Sequence, residues 1–210
     1  DAIECSLLRA KYSNNQMTLT IAPTEDCNFR CIYCYEKNII MPKYMNKETA
    51  DNIISYINKR IKDIKQLNIA WYGGEPLLSI SIIKYISESV IKLCGENDVT
   101  FNSSIVTNGY LLSKENLDTL TNCRIKMLQV TIDGNKEIHD KRRFLNGGGA
   151  TFNRIINNLK LIKNYNVNVN LRINVDKSNV DIAKEVTTII DEINENKNIK
   201  CYLGMVTSTG

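Results

Sequence analysis

Leu19-Thr20-Ile21-Ala22-Pro23-Thr24-Glu25-Asp26-Cys27-Asn28-Phe29-Arg30-Cys31-Ile32-Tyr33-Cys34-Tyr35-Glu36 is the stretch around which the rest of the chain is organised. Its first four residues alternate as a β-strand does, and three cysteines follow at spacing C-x3-C-x2-C. A loop this short can point three thiolates at one centre, and soft thiolates select iron–sulfur clusters or zinc. No fourth ligand follows at a regular interval, and the single histidine, His139, lies more than a hundred residues on. Closed structural zinc sites want four ligands, whereas three ligands leave one metal position open for chemistry.

Outward from this loop, apolar runs of period two alternate with segments of period 3.6. Strands are expected at Met17 to Ala22, Leu67 to Tyr72, Val99 to Thr107, Lys126 to Ile132, Val167 to Val175 and Ile199 to Val206. Between them, Asn46 caps a helix running to about Gln66, with Ile53, Ile54, Ile57, Ile61 and Ile64 on one face. A second helix runs from about Ser81 to Leu93, and Ser113 opens a third ending near Thr121. A long loop containing Gly147-Gly148-Gly149 follows Asp133-Gly134, after which Thr151 caps a helix from Phe152 to Tyr165. A last helix spans about Val180 to Asn194. The units recur about every 30–35 residues, the pattern of repeated βαβ units and a parallel sheet. Periodicity alone leaves two architectures open, a doubly wound sheet and a closed or partial barrel. In both, a site forms at the C-terminal ends of the strands, where the unusual residues of this chain fall.

The cysteine spacing, with aromatic Tyr33 just before Cys34, resembles the signature of the radical S-adenosylmethionine (SAM) enzymes. Gly73-Gly74-Glu75-Pro76 after strand two is similar to that family's GGEP motif. Glycines let a backbone approach a neighbour closely, and a carboxylate beside them accepts hydrogen bonds from an ammonium group. The resemblance implies an α/β fold, a partial (β/α)6 TIM-like barrel of parallel strands truncated here after strand six. It also implies a [4Fe-4S] cluster on Cys27, Cys31 and Cys34, with SAM chelating the fourth iron. Gly73, Gly74 and Glu75 would hold the SAM amino group. Thr131 and Asp133 share one face of strand four and are expected at the ribose or carboxylate; Arg172 on strand five, whose burial needs a partner, is expected at the carboxylate. Tyr33 and Thr107-Asn108 are expected near the adenosine, with Leu203 or Met205 as weaker candidates. His139 reads as a structural residue paired with Asp140 or with backbone.

Asp133-Gly134, then His139-Asp140 and Arg143, then the glycine run and Thr151-Phe152, resemble the pattern of SPASM-type peptide and protein maturases. That group includes anaerobic sulfatase-maturing and thioether-forming enzymes. The function implied is reductive cleavage of SAM to a 5′-deoxyadenosyl radical that abstracts hydrogen from a peptide or protein substrate. An electron donor such as flavodoxin or ferredoxin is the other expected partner. Two rivals stand beside it: a radical SAM enzyme acting on a small molecule, and a zinc-binding interaction module without catalysis. Such maturases usually carry a cysteine-rich C-terminal region, and Cys5, Cys94, Cys123 and Cys201 are too dispersed to supply it. Residues 1–16 are read as an extension and 17–210 as the core domain.

Composition narrows the alternatives. With 210 residues, 43% hydrophobic and 24% charged, the chain can bury a core without disulfides. Its net charge of +4 is scattered along helical faces, with no basic block interleaved with aromatics, so no nucleic-acid partner is expected. No apolar run reaches membrane-spanning length and no signal-peptide pattern opens the chain, so no membrane partner is expected. Seven cysteines in a three-plus-four pattern suit a reducing cytoplasm.

Overall fold

The computed structural model describes residues 15–37, 40–177 and 179–206. Six strands, β1 (Gln16–Ile21), β2 (Gln66–Trp71), β3 (Thr100–Thr107), β4 (Ile125–Ile132), β5 (Asn168–Val175) and β6 (Ile199–Met205), form one sheet. Its order is β1-β2-β3-β4-β5-β6, and every pair is parallel. A doubly wound sheet reverses direction at a switch point, and this order never does. The architecture is therefore the partial TIM-like barrel, with β1 and β6 as its two edges.

Six α-helices lie between the strands among the described residues: α1 (Lys47–Arg60), α2 (Ile80–Glu96), α3 (Lys114–Asn122), α4 (Lys136–Arg142), α5 (Phe152–Leu159) and α6 (Ala183–Asp191). Asn46 and Ser113 cap α1 and α3 as expected, accepting from the amides of Thr49 and Asn116. The inward face of α2 is Ile83, Ile86, Val90 and Cys94, all fully or nearly fully buried. Ile57, Ile61 and Ile64 are buried as expected, whereas Ile53 and Ile54 are only half-buried. The core is dominated by β-branched and aliphatic side chains. Trp71 is fully buried and gives its indole proton to Ser103 Oγ at 3.1 Å, which removes the cost of hiding an unpaired donor.

Several expectations need correction. The first helix stops at Arg60 and tightens into a 3-10 turn, Ile61–Asp63, instead of reaching Gln66. The last begins as a 3-10 turn, Val180–Ile182, and ends at Asp191. The expected long loop after Asp133-Gly134 contains α4, whose cap is Asn135. Thr151 does not cap α5 with its side chain. The cap is supplied by Asp140, whose Oδ1 accepts from the amides of both Thr151 and Phe152 at 2.8 Å. The leader expected at residues 1–16 lies mostly outside the described residues, as does Cys5.

Candidate active site

The cysteine loop leaves β1 and is held from two sides. On one, Gly74 and Glu75 donate their amides to the carbonyls of Thr24 and Asp26 at 3.2 and 2.8 Å. A Cβ at Gly73, where φ is +118°, would collide with the Thr24 carbonyl, and one at Gly74 with the Asp26 carbonyl. The glycines are thus required by the cysteine loop itself. On the other side, Arg30 and Ile32 donate to the carbonyls of Phe144 and Arg142, and Asn146 donates back to Asn28. Within the loop, Phe29 N points at Cys27 Sγ at 3.4 Å, and Arg30 Nη1 clasps the carbonyls of Cys27 and Phe29.

Cys27, Cys31 and Cys34 are half-buried, free, and line one cavity of about 310 Å³ at the C-terminal ends of the strands. Burial pushes the Cys27 thiol up to about 12, and Cys31 is raised for the same reason, partly offset by the Arg143 charge. Metal binding here must therefore displace protons. Among the described residues, no three His, Cys, Asp or Glu side chains converge on a single-ion site. A cluster that gives each thiolate its own iron suits the wider arrangement.

The remaining predicted residues divide between the cavity wall and the layer behind it. Gly73, Gly74, Thr107, Asn108, Thr131, Tyr33 and Arg172 line the cavity, as does Met205. Leu203 is 60% exposed and does not line it. Glu75 and Asp133 stand behind the wall. Glu75 is fully buried; its carboxylate accepts from Thr107 Oγ1 at 2.7 Å, Asn108 N at 2.8 Å and Leu77 N at 3.1 Å. Burial raises its proton affinity and these donors counter the rise. In this geometry Glu75 joins the end of β2 to the end of β3. Asp133 is equally buried, with Oδ1 accepting from the Tyr33 hydroxyl and Oδ2 from Arg142 Nε at 3.0 Å. Both its oxygens are thus engaged by protein donors, one of them on the cavity-lining Tyr33.

Tyr33 contributes its ring to the cavity and its hydroxyl to that rear layer. The hydroxyl donates to Asp133 and accepts from Arg143 Nη1 and Asn174 Nδ2 at 2.8 and 2.9 Å. Arg142 forks onto Asp133 and Asp176 at 3.0 and 2.7 Å. Sequence reasoning used the His139–Arg143 segment as a family address and assigned no role to Arg142, Arg143 or Asn174. Two consecutive arginines were the signal available. His139 is fully buried: Nδ1 accepts from Asp133 N at 3.3 Å, and Nε2 lies 3.1 Å from Thr151 Oγ1. The Thr151 proton goes to the Arg143 carbonyl, so Nε2 carries the imidazole proton. The ring is neutral, with burial holding its pKa well below the ordinary value, and its work is to fix the loop.

Three buried polar atoms on cavity-lining residues have no partner among the described residues: Arg143 Nε, Arg172 Nε and Asn174 Oδ1. Arg172 lies flat over Gly204, where any Cβ would strike its guanidinium. Soft thiols on one side and orphaned donors on the other fit a thiolate-held cluster with a polar, carboxylate-bearing cofactor.

The family model "Radical SAM superfamily" matches residues 21–193, and the chain belongs to that superfamily. It is a family of enzymes working with a [4Fe-4S] cluster and SAM, so the zinc-module reading falls. The chain is 30% identical over 172 residues to a cysteine-type anaerobic sulfatase-maturating enzyme of Clostridium novyi, covering 77% of this chain and 44% of the relative. It is 32% identical over 123 residues to a GTP 3′,8-cyclase of Clostridium acetobutylicum, covering 59% and 36%. The fold matches a solved structure of anSMEcpe with bound AdoMet and the peptide Cp18Cys, with TM-score 0.71, 22% identity, and 91% and 51% of the two chains covered. The chain spans about half the length of the curated relatives it matches.

Proposed function

We propose that this chain is the core of a radical SAM enzyme that modifies a peptide or protein side chain. The observation that carries the catalytic part is one cavity that joins Cys27, Cys31 and Cys34 to the Gly73-Gly74 backbone and to the buried, unpaired donors Arg172 Nε on β5 and Arg143 Nε after α4. When bound, the cluster and SAM supply a carbon radical able to take hydrogen from an unactivated position. The protein's part is to hold and enclose. Cys27, Cys31 and Cys34 bind iron. Gly73 and Gly74 present backbone to the SAM amino group, with Glu75 acting by fixing Thr107 and Asn108. Thr131 and Arg172 serve the ribose and carboxylate, while Asp133 acts through Tyr33 and Arg142. An external low-potential donor of the flavodoxin or ferredoxin kind reduces the site, and the setting is the cytoplasm. Among the described residues no helix is long and apolar enough to cross a membrane.

The peptide substrate is supported by the His139-Asp140 and Arg143 pattern and by the sulfatase-maturating relative. The likeness to the GTP cyclase supports the second reading, a small-molecule substrate. Anaerobic reconstitution of wild type beside Cys31→Ala tests the common core. Four irons and four sulfides per chain are expected, lost or sharply reduced in the variant; stoichiometric zinc without sulfide refutes it. Hydrogen abstraction from peptides against nucleotides, followed by deuterium transfer into 5′-deoxyadenosine, separates the two substrate readings.

A further inference from the structure

Arg143 is 8% exposed and lines the cavity together with the three cysteines. Its neighbour Arg142 is neutralised by Asp133 and Asp176. Arg143 has no such partner: among the described residues, no carboxylate lies within ion-pair distance of it. It donates from Nη1 to the Tyr33 hydroxyl, Nε has no acceptor, and the guanidinium carbon stands 5.8 Å from the Phe29 ring centre. A buried cation with no anion in direct ion-pair contact is costly, and such groups persist where an anion is to be met. Tyr33 does not supply one, because burial raises its pKa and keeps it a phenol. Asp133 and Glu75 act on Arg143 only from beyond ion-pair distance, and Glu36 lines the cavity without pairing with it; Cys31 is the cysteine-loop thiol whose charge it faces, and the thiols become anions when metal replaces their protons.

We propose that Arg143 is the counter-charge of the three-cysteine site and favours the one-electron-reduced state of its cluster. This rests on the reading of the site as a radical SAM centre. In the step concerned, one electron passes from a reduced flavodoxin- or ferredoxin-type donor, which is left oxidised by one electron. No bond to the protein forms or breaks, and the site becomes one unit more negative. A fixed buried cation stabilises the more negative state in proportion to the added charge, so it raises the midpoint potential. Arg172, on β5 with its own unpaired Nε, lines the same cavity.

The test is a redox titration of the reconstituted protein followed by electron paramagnetic resonance, without SAM, on wild type, Arg143→Gln and Arg143→Lys. Gln keeps a donor for Tyr33 and removes the charge. Expected is a lower midpoint for Arg143→Gln at full iron and sulfide content, and a value near wild type for Arg143→Lys. An unshifted Arg143→Gln midpoint overturns the proposal. So does an unshifted midpoint accompanied by weakened SAM binding in calorimetry, which reassigns Arg143 to the cofactor. If Arg143→Gln does not fold, Arg143→Met removes the same charge at similar side-chain length, and an unshifted midpoint in it overturns the assignment. A wild type that takes up no iron and sulfide removes the functional reading and this one with it, a result distinct from an unshifted potential.

Discussion

Tyr33 has one hydroxyl and three partners, on Asp133 after β4, Arg143 after α4 and Asn174 in β5. Replacing it with Phe strands a carboxylate oxygen and two donors in a buried layer. Tyr33→Phe is expected to lower unfolding free energy by about 1–3 kcal/mol in urea titration. His139 makes a pH prediction. Its folded pKa is depressed by burial, so below its ordinary value near 6.5 the unfolded chain takes a proton that the folded chain refuses. Wild type should therefore lose stability relative to His139→Gln as pH falls below 6.5, while the two curves run parallel above it. At this scale the sequence discloses residue type and face but not what a side chain meets. The cysteine spacing was legible because ligation is local. The protein partners of Glu75 and Asp133 were not legible because Asn108 and Arg142 come from another strand end and from α4.

The next scale is the element, where two segments brace the cysteine loop. Gly74→Ala drives a methyl group into the Asp26 carbonyl and has to displace that loop. Iron incorporation should drop severalfold while far-UV circular dichroism stays near wild type, because the clash lies outside the helices and strands. Asp140 caps α5 from the middle of α4, and Asp140→Ala is expected to cost about 1–2 kcal/mol in thermal or chemical denaturation. The strands and most helices were legible because each carries a run of apolar residues at its own period. α4 was not: it is seven residues long, too short to show a period, and glycines stand on both sides. The cap at α5 was assigned to Thr151 because sequence offers only the local candidate. Asp140 lies 11 positions before Thr151 and reaches it through the fold.

For the whole molecule, the sheet runs in chain order with β1 and β6 at its edges among the described residues, and the site sits across its C-terminal rim. Sequence periodicity could not separate this from a doubly wound sheet, since both are built from βαβ units. The difference is long-range, and family resemblance supplied it. A cluster bound only by the folded chain stabilises that state by mass action. Reconstituted wild type should thus unfold at higher denaturant than the metal-free chain, a gain that Cys31→Ala loses.

The bracket around the cysteine loop also has a timetable. Cys31 leaves the ribosome more than a hundred residues before Arg142, whose carbonyl receives the amide of Ile32. At about 5–20 residues per second that interval is on the order of ten seconds. For that time the three thiols belong to a nascent chain without their second brace, open to oxygen and to stray metals. Cluster delivery into this protein is best timed after α4 has emerged.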